Sequence, residues 1–234
     1  MNKLGRSVVW FSLIFLLIKT TVPGQEVPEN QYRLQVVDSY QLYEQLVAAD
    51  SSRALVNLES FIPGIALEVK YATAGNFMEK QLYPVAKVYL RKPAAAALKA
   101  VQQELESLNL GLKVFGGYRP YRVTVAMWEP YQDPRYVANP ANGSRHNRGC
   151  AVDVTLVSLG PGNEIPMPTG YDDFTEKAHH DYANLSEEVL KNRYILKSVM
   201  EKYGFQPITS EWWHYDYRGW EKYHVMDIPL SDLP

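Results

Sequence analysis

The sequence predicts a compact single domain of the α+β class, with a mainly antiparallel central sheet and packed helices. Three observations carry this. Short runs of strand composition are interspersed with stripes of helical period, no internal repeat occurs, and no Pro/Gly/Ser linker is long enough to divide the chain. With 234 residues, 46% hydrophobic and 21% charged, the chain can bury one sizeable core, which excludes a disordered or low-complexity architecture.

At the amino end, Lys3 and Arg6 precede the apolar run Val8–Ile18, whose 11 residues are too few to span a bilayer as a helix. Followed by the small-residue exit Val22-Pro23-Gly24, this reads as a secretory signal peptide over residues 1–24, leaving 25–234 as the domain. The expected location is therefore outside the cytoplasm, in a periplasm, with no stable membrane insertion once the segment is removed. The exit is not an A-x-A pattern and Lys19 follows closely, so a membrane tether by an uncleaved signal anchor is the alternative.

Further along, Asp38 with Gln41 three residues later has the pattern of a helix start, and Tyr43, Leu46 and Val47 continue its apolar face to about Ala49. Leu55–Leu58 and Ile65–Tyr71 read as strands around the turn Pro63-Gly64. A helix is expected from Pro93, with Ala94, Leu98, Val101, Leu105 and Leu108 on one face and Gly111 beyond its end. Leu112–Phe115 then reads as a strand, Arg122–Glu129 as a helix stopped by Pro130, and 134–144 as a loop. Cys150–Val157 is a strand by composition. Asn184 and Glu187 form a capping box for a long helix ending at Gly204, and Trp212–Tyr217 is the final strand.

Composition narrows the chemistry. Lys and Arg number 24 against 26 Asp and Glu, with no basic stripe, so nucleic acid is excluded as a partner. Cys150 is the only cysteine, which rules out an intrachain disulfide and a thiolate zinc knuckle. Three segments bring polar groups into structured surroundings: Tyr118-Arg119-Pro120, the run from Ser144 to Asp153, and Glu211-Trp212-Trp213-His214.

Asp153 lies among Val152, Val154 and Leu156, where a carboxylate is costly unless paired or bound to a cation. Gly149 permits a tight turn that brings His146 back towards it. Imidazole nitrogen and carboxylate oxygen suit zinc, although a buried His–Asp hydrogen bond explains this segment equally well. Glu211 and His214 oppose each other on an ideal strand and align on a helical turn, and an edge-strand ion pair is the plain alternative for them. Taken together, His146, Asp153 and His214 supply two nitrogens and one oxygen and leave a fourth tetrahedral position free, as catalytic zinc sites do. Glu211 is then placed to act on a metal-activated water as general base, and Arg119 to stabilise the developing oxyanion, unless Arg119 is only a surface ion pair.

Ser144-Arg145-His146-x-x-Gly149-x-Ala151-x-Asp153 followed by Glu211-Trp212-Trp213-His214 resembles the zinc D-alanyl-D-alanine dipeptidases, the family that includes the vancomycin-resistance dipeptidase. Tyr71-Ala72-Thr73, Asn76-Phe77, Tyr118-Arg119-Pro120, Asp173-Phe174 and His179-His180 extend the likeness over most of the chain in one order. The resemblance implies one Zn2+ per chain on His146, Asp153 and His214, with Glu211 as base and Arg119 at the transition state. It also implies Ser144 near the substrate, Asp173 near its free amine, and a small closed cavity that admits a D,D-dipeptide. Its relatives commonly carry an acidic residue three before the arginine, where this chain has Gly116. A D,D-carboxypeptidase acting on longer wall peptides and a non-catalytic wall-peptide-binding module are the competing expectations, and the oligomeric state is left open.

Overall fold

The computed structural model describes residues 26–160 and 163–234, so the expected signal peptide lies outside the described residues. The first elements are β1 (Val36–Val37) and α1 (Tyr40–Ala49). Ser39 caps α1 rather than Asp38, its Oγ accepting the Leu42 N–H at 3.3 Å. Next come β2 (Leu55–Asn57), a single helical turn α2 (Leu58–Phe61) and a two-residue β3 (Ala66–Leu67). The Asn57 side chain accepts the Glu59 N–H and starts α2, cutting the first expected strand short. The two runs flanking Pro63-Gly64 do not pair with each other. β2 runs antiparallel to β4 (Tyr89–Arg91), while β3 lies parallel to β5 (Leu110–Gly116).

Helix α3 (Lys92–Glu106) buries Ala94, Leu98, Val101 and Leu105 completely. Leu108 does not continue that stripe. The chain leaves the helix at Ser107, turns through Asn109 at φ 61°, and leaves Leu108 52% exposed, with Gly111 already inside β5. Helix α4 (Tyr121–Tyr131) passes through Pro130 and ends at Gln132, φ 45°, because a proline this close to the end costs only last-turn bonding. After β6 (Ala151–Ser158), Ser186 rather than Asn184 caps α5 (Glu187–Lys202), its Oγ accepting the Val189 N–H at 3.3 Å. The chain closes with β7 (Phe205–Ile208), β8 (Glu211–Tyr217) and β9 (Val225–Met226), the last parallel to β1.

The main sheet has the order β3-β5-β6-β8-β7. Its β5–β6, β6–β8 and β7–β8 ladders are antiparallel and its β3–β5 ladder is parallel, so the α+β class holds but the sheet is mixed. Helices α3 and α5 pack together and against this sheet. Strand β6 is buried at every position from Ala151 to Val157. Being covered on both faces explains its nearly unbroken apolar sequence and isolates Asp153 as its one carboxylate. Among the described residues, no helix is long and apolar enough to cross a membrane.

Candidate metal centre and active site

Strand register, rather than sequence spacing, assembles the polar centre. Asp153 on β6 pairs directly with His214 on β8, and Gly116 on β5 pairs with Asp153 from the other side. Directly paired residues project to one face, so the carboxylate and the second imidazole are neighbours by construction. His146 comes from a helical turn, His146–Arg148, that precedes β6. Gly149 ends this turn at φ 69°, a left-handed backbone, and a Cβ there would stand 2.6 Å from Leu55 Cδ2. The glycine therefore permits both the reversal and the close packing that bring His146 back to Asp153.

Glu211 and His214 share a side of β8 because the strand is irregular. Pro207 pairs with Tyr215 whereas Ile208 pairs with Glu211, so β8 holds three more residues than β7 between those pairs. Pro207 has no N–H to offer the ladder at that point. This bulge removes the opposition an ideal strand imposes and leaves Glu211 Oε2 3.8 Å from His214 Nδ1.

The three donors fit one small divalent ion. His146 Nε2 lies 3.2 Å from His214 Nδ1 and 3.4 Å from Asp153 Oδ2, and His214 Nδ1 lies 3.1 Å from Asp153 Oδ1. Ligands held tetrahedrally at about 2.0–2.1 Å stand about 3.3 Å apart, so little rearrangement is needed. The remaining ring nitrogens fix the tautomers. His146 Nδ1 donates to the Gly117 carbonyl at 2.7 Å, and His214 Nε2 donates to Asp216 Oδ1 at 2.9 Å. Each imidazole therefore turns its second ring nitrogen towards the common centre. All three residues are buried, and together they form a cluster suited to one metal ion.

Electrostatics sharpen this picture. Burial lowers the His146 pKa, which favours the neutral ligand form. Burial also opposes a charge on His214, but its hydrogen bonds to Asp153 and Asp216 win and raise it to about 10, so a proton and a metal compete for this site. Burial pushes the Glu211 carboxyl up to about 7, a value suited to taking and returning a proton near neutrality.

Around the cluster is a cavity of about 510 Å³ whose lining includes Arg119, Ser144, His146, Asp172, Glu211 and His214. Arg119 is 8% exposed, with its guanidinium 5.1 Å from the centroid of the Tyr71 ring. Its backbone N–H donates to the His146 carbonyl at 3.1 Å, and Asn147 Nδ2 donates to its carbonyl at 2.9 Å, so the arginine is tied to the turn that carries His146. Ser144 is buried, its Oγ accepting the His146 N–H at 3.2 Å.

Asp173 is elsewhere. Its Oδ1 accepts the Thr175 N–H at 2.9 Å, and the residue is absent from the cavity lining. Asp172 faces the cavity instead, receiving the Tyr71 hydroxyl at 3.1–3.2 Å. Its backbone is left-handed at φ 60°, a conformation that costs a non-glycine residue about 1–3 kcal/mol and recurs at binding sites. Burial first, then the Asp153 charge, raises its carboxyl to about 8.

Two contributors carry no site signal of their own in the sequence: Tyr71 is one residue of a motif, and Asp216 one residue of the final strand. Only context sets Asp216 apart, as a second carboxylate in an apolar strand two residues beyond His214. His179 lines the cavity whereas His180 does not. Burial pushes the Cys150 thiol up to about 12, leaving it an inert packing group.

The chain is similar to several known proteins. The family model described as D-ala-D-ala dipeptidase matches residues 51–227. A D-alanyl-D-alanine dipeptidase of Escherichia coli is 35% identical over 162 residues, covering 69% of this chain and 83% of its own. One from Streptomyces coelicolor is 32% identical, covering 74% of this chain and 96% of its own. Among solved structures, the LD-carboxypeptidase LdcB matches 72% of this chain and 69% of its own, with 24% identity and a TM-score of 0.41. With its matched segment spanning the cluster and both flanking motifs, the chain belongs to the D-Ala-D-Ala dipeptidase family.

Proposed function

We propose that the protein is a zinc-dependent hydrolase that cleaves D-alanyl-D-alanine into two D-alanines. The observation that carries this is the convergence of two tautomer-locked imidazoles and Asp153 on one point, with Glu211 beside it. His146 Nε2, Asp153 and His214 Nδ1 would hold the ion. Bound there, zinc supplies Lewis acidity that lowers the pKa of water towards ~7 and polarises a carbonyl. Glu211 takes a proton from the attacking water and returns it to the leaving amine. The Arg119 guanidinium, kept dry above Tyr71, stabilises the oxyanion.

Asp172, in place of Asp173, receives the ammonium of the substrate. In the free protein burial raises its carboxyl to about 8, and an arriving ammonium favours the ionised form with which it pairs. Ser144 lies at the cavity wall, where it would adjoin a bound peptide. The cavity of about 510 Å³ is roomier than the small one expected. Rejection of longer peptides therefore rests on Asp172, which an acylated nitrogen leaves with the Tyr71 hydroxyl but no cationic partner.

Metal analysis coupled to amine release, across D,D-, L,D- and L,L-dialanine and a pentapeptide ending in D-Ala-D-Ala, tests this reading. One zinc per chain with D,D-dialanine preferred supports the dipeptidase, whereas release of D-alanine from the pentapeptide at comparable rates replaces it with a carboxypeptidase. Zinc-loaded protein that binds the dipeptide without cleaving it replaces both with a binding module. We further propose export to a periplasm, supported by Lys3, Arg6 and the run Val8–Ile18. Fractionation with full-length chain in the cytoplasm contradicts it, and full-length chain in the membrane favours the tether.

A further inference from the structure

Tyr171 directly precedes Asp172 and contributes to the centre in a different way. Its hydroxyl donates to Asp153 Oδ2 at 3.0 Å. Apart from the two imidazoles, it is the one side chain among the described residues that hydrogen-bonds to Asp153. The ring is clamped on three sides. It stacks on Phe115 with centroids 4.7 Å apart, meets Trp213 at 5.6 Å with the planes at 69°, and lies 6.1 Å from Tyr71. A ring held this way presents its hydroxyl at a fixed point.

Gly116 supplies the room. A Cβ on Gly116 would crowd Asp153 Oδ2 at 3.2 Å and touch the Tyr171 hydroxyl at an ordinary 3.9 Å, so the glycine leaves the carboxylate free to meet the hydroxyl. We infer that Tyr171 is a positioning residue for the metal centre, its hydroxyl filling the gap beside Gly116 and holding the Asp153 carboxylate in the orientation that presents it to the ion. The inference rests on the proposal that His146, Asp153 and His214 bind zinc. The orienting group arrives on the segment that carries Asp172. One short segment then serves both ends of the cavity, with Tyr171 fixing a ligand and Asp172 facing the substrate.

The test is Tyr171→Phe, which keeps the ring and removes only the hydroxyl. Zinc affinity is measured by competition against a chromophoric chelator, with thermal unfolding of the metal-free protein recorded alongside. Removing a hydrogen bond that orients a ligand costs about 10–100-fold in metal affinity, and that loss is expected here with the metal-free melting temperature unchanged. Cobalt-substituted Y171F is expected to show a shifted visible spectrum, which reports the altered carboxylate independently of turnover. Zinc affinity within twofold of the unmodified protein, with an unchanged cobalt spectrum, overturns the inference. A lower metal-free melting temperature with undiminished affinity also overturns it, by assigning Tyr171 to packing alone. Failure of the unmodified protein to bind zinc would instead defeat the proposed function, so the two failures are distinguishable.

Discussion

The two ends of the cavity are built differently. At the metal end, Asp153 and His214 sit on paired strands, and His146 is returned to them by a glycine turn; carbonyl and carboxylate partners fix both imidazoles. At the amine end, Asp172 belongs to no strand or helix, adopts a left-handed backbone and is anchored through Tyr71. Sheet register tolerates no slip, because moving β8 by one residue would turn His214 to the opposite face. The amine end is held by side-chain contacts between loops, so its geometry depends on the neighbours it meets in the folded chain. A rigid metal end suits a group that must be held to a fraction of an ångström, and a loop-built end suits selection among substrates.

That contrast can be broken by substitution, starting with the largest expected effect. Glu211→Gln keeps its volume and the zinc ligands but cannot accept a proton, so kcat falls by about 10²–10⁴ with zinc content preserved, as rate and metal assays would report. Asp216→Asn acts only on the metal end. It weakens the partner that fixes the His214 tautomer, and chelator competition should show a zinc affinity about 10–100-fold lower with KM little changed at saturating zinc. Asp172→Asn acts only on the amine end. Losing a charged partner worth about 1.5–3 kcal/mol raises KM about 10–100-fold, while Asp173→Asn stays within about twofold, with zinc affinity unchanged in both.

The smallest effect is in the pH profile. Glu211 works as a base only when ionised, and burial raises it to about 7 in the metal-free protein. A nearby cation lowers that value, so kcat/KM should drop about tenfold per unit on the acid side of a midpoint at or below about 7. Because Asp172 is raised to about 8 and must ionise to receive the ammonium, the profile should level off only above about 8.

The metal end was legible in the sequence because its residues violate local expectation. A carboxylate inside Val152–Leu156, a glycine just before that strand and a histidine beside paired tryptophans each need an explanation, and one ion supplies it. What the sequence could not show was the irregularity in β8, which depends on pairing with Pro207 and decides that Glu211 and His214 share a side. Asp172 and Asp173 are adjacent and chemically identical, and only the left-handed turn at 172 distinguishes them. Helix starts were displaced by one or two residues for a simpler reason: Ser39 and Ser186 competed with nearby Asp38 and Asn184 for the same orphan N–H groups, and local backbone geometry chose the serines. The parallel β3–β5 contact joins segments separated by α3, a long-range pairing that no local pattern encodes.

The most direct test of the central claim is X-ray absorption at the zinc edge on the purified, dialysed protein. One zinc per chain, with scattering from two imidazoles at about 2.0–2.1 Å and light oxygen ligands completing the shell, is the expected result. Zinc without imidazole scattering, or none retained at all, would contradict the joint role of His146, Asp153 and His214.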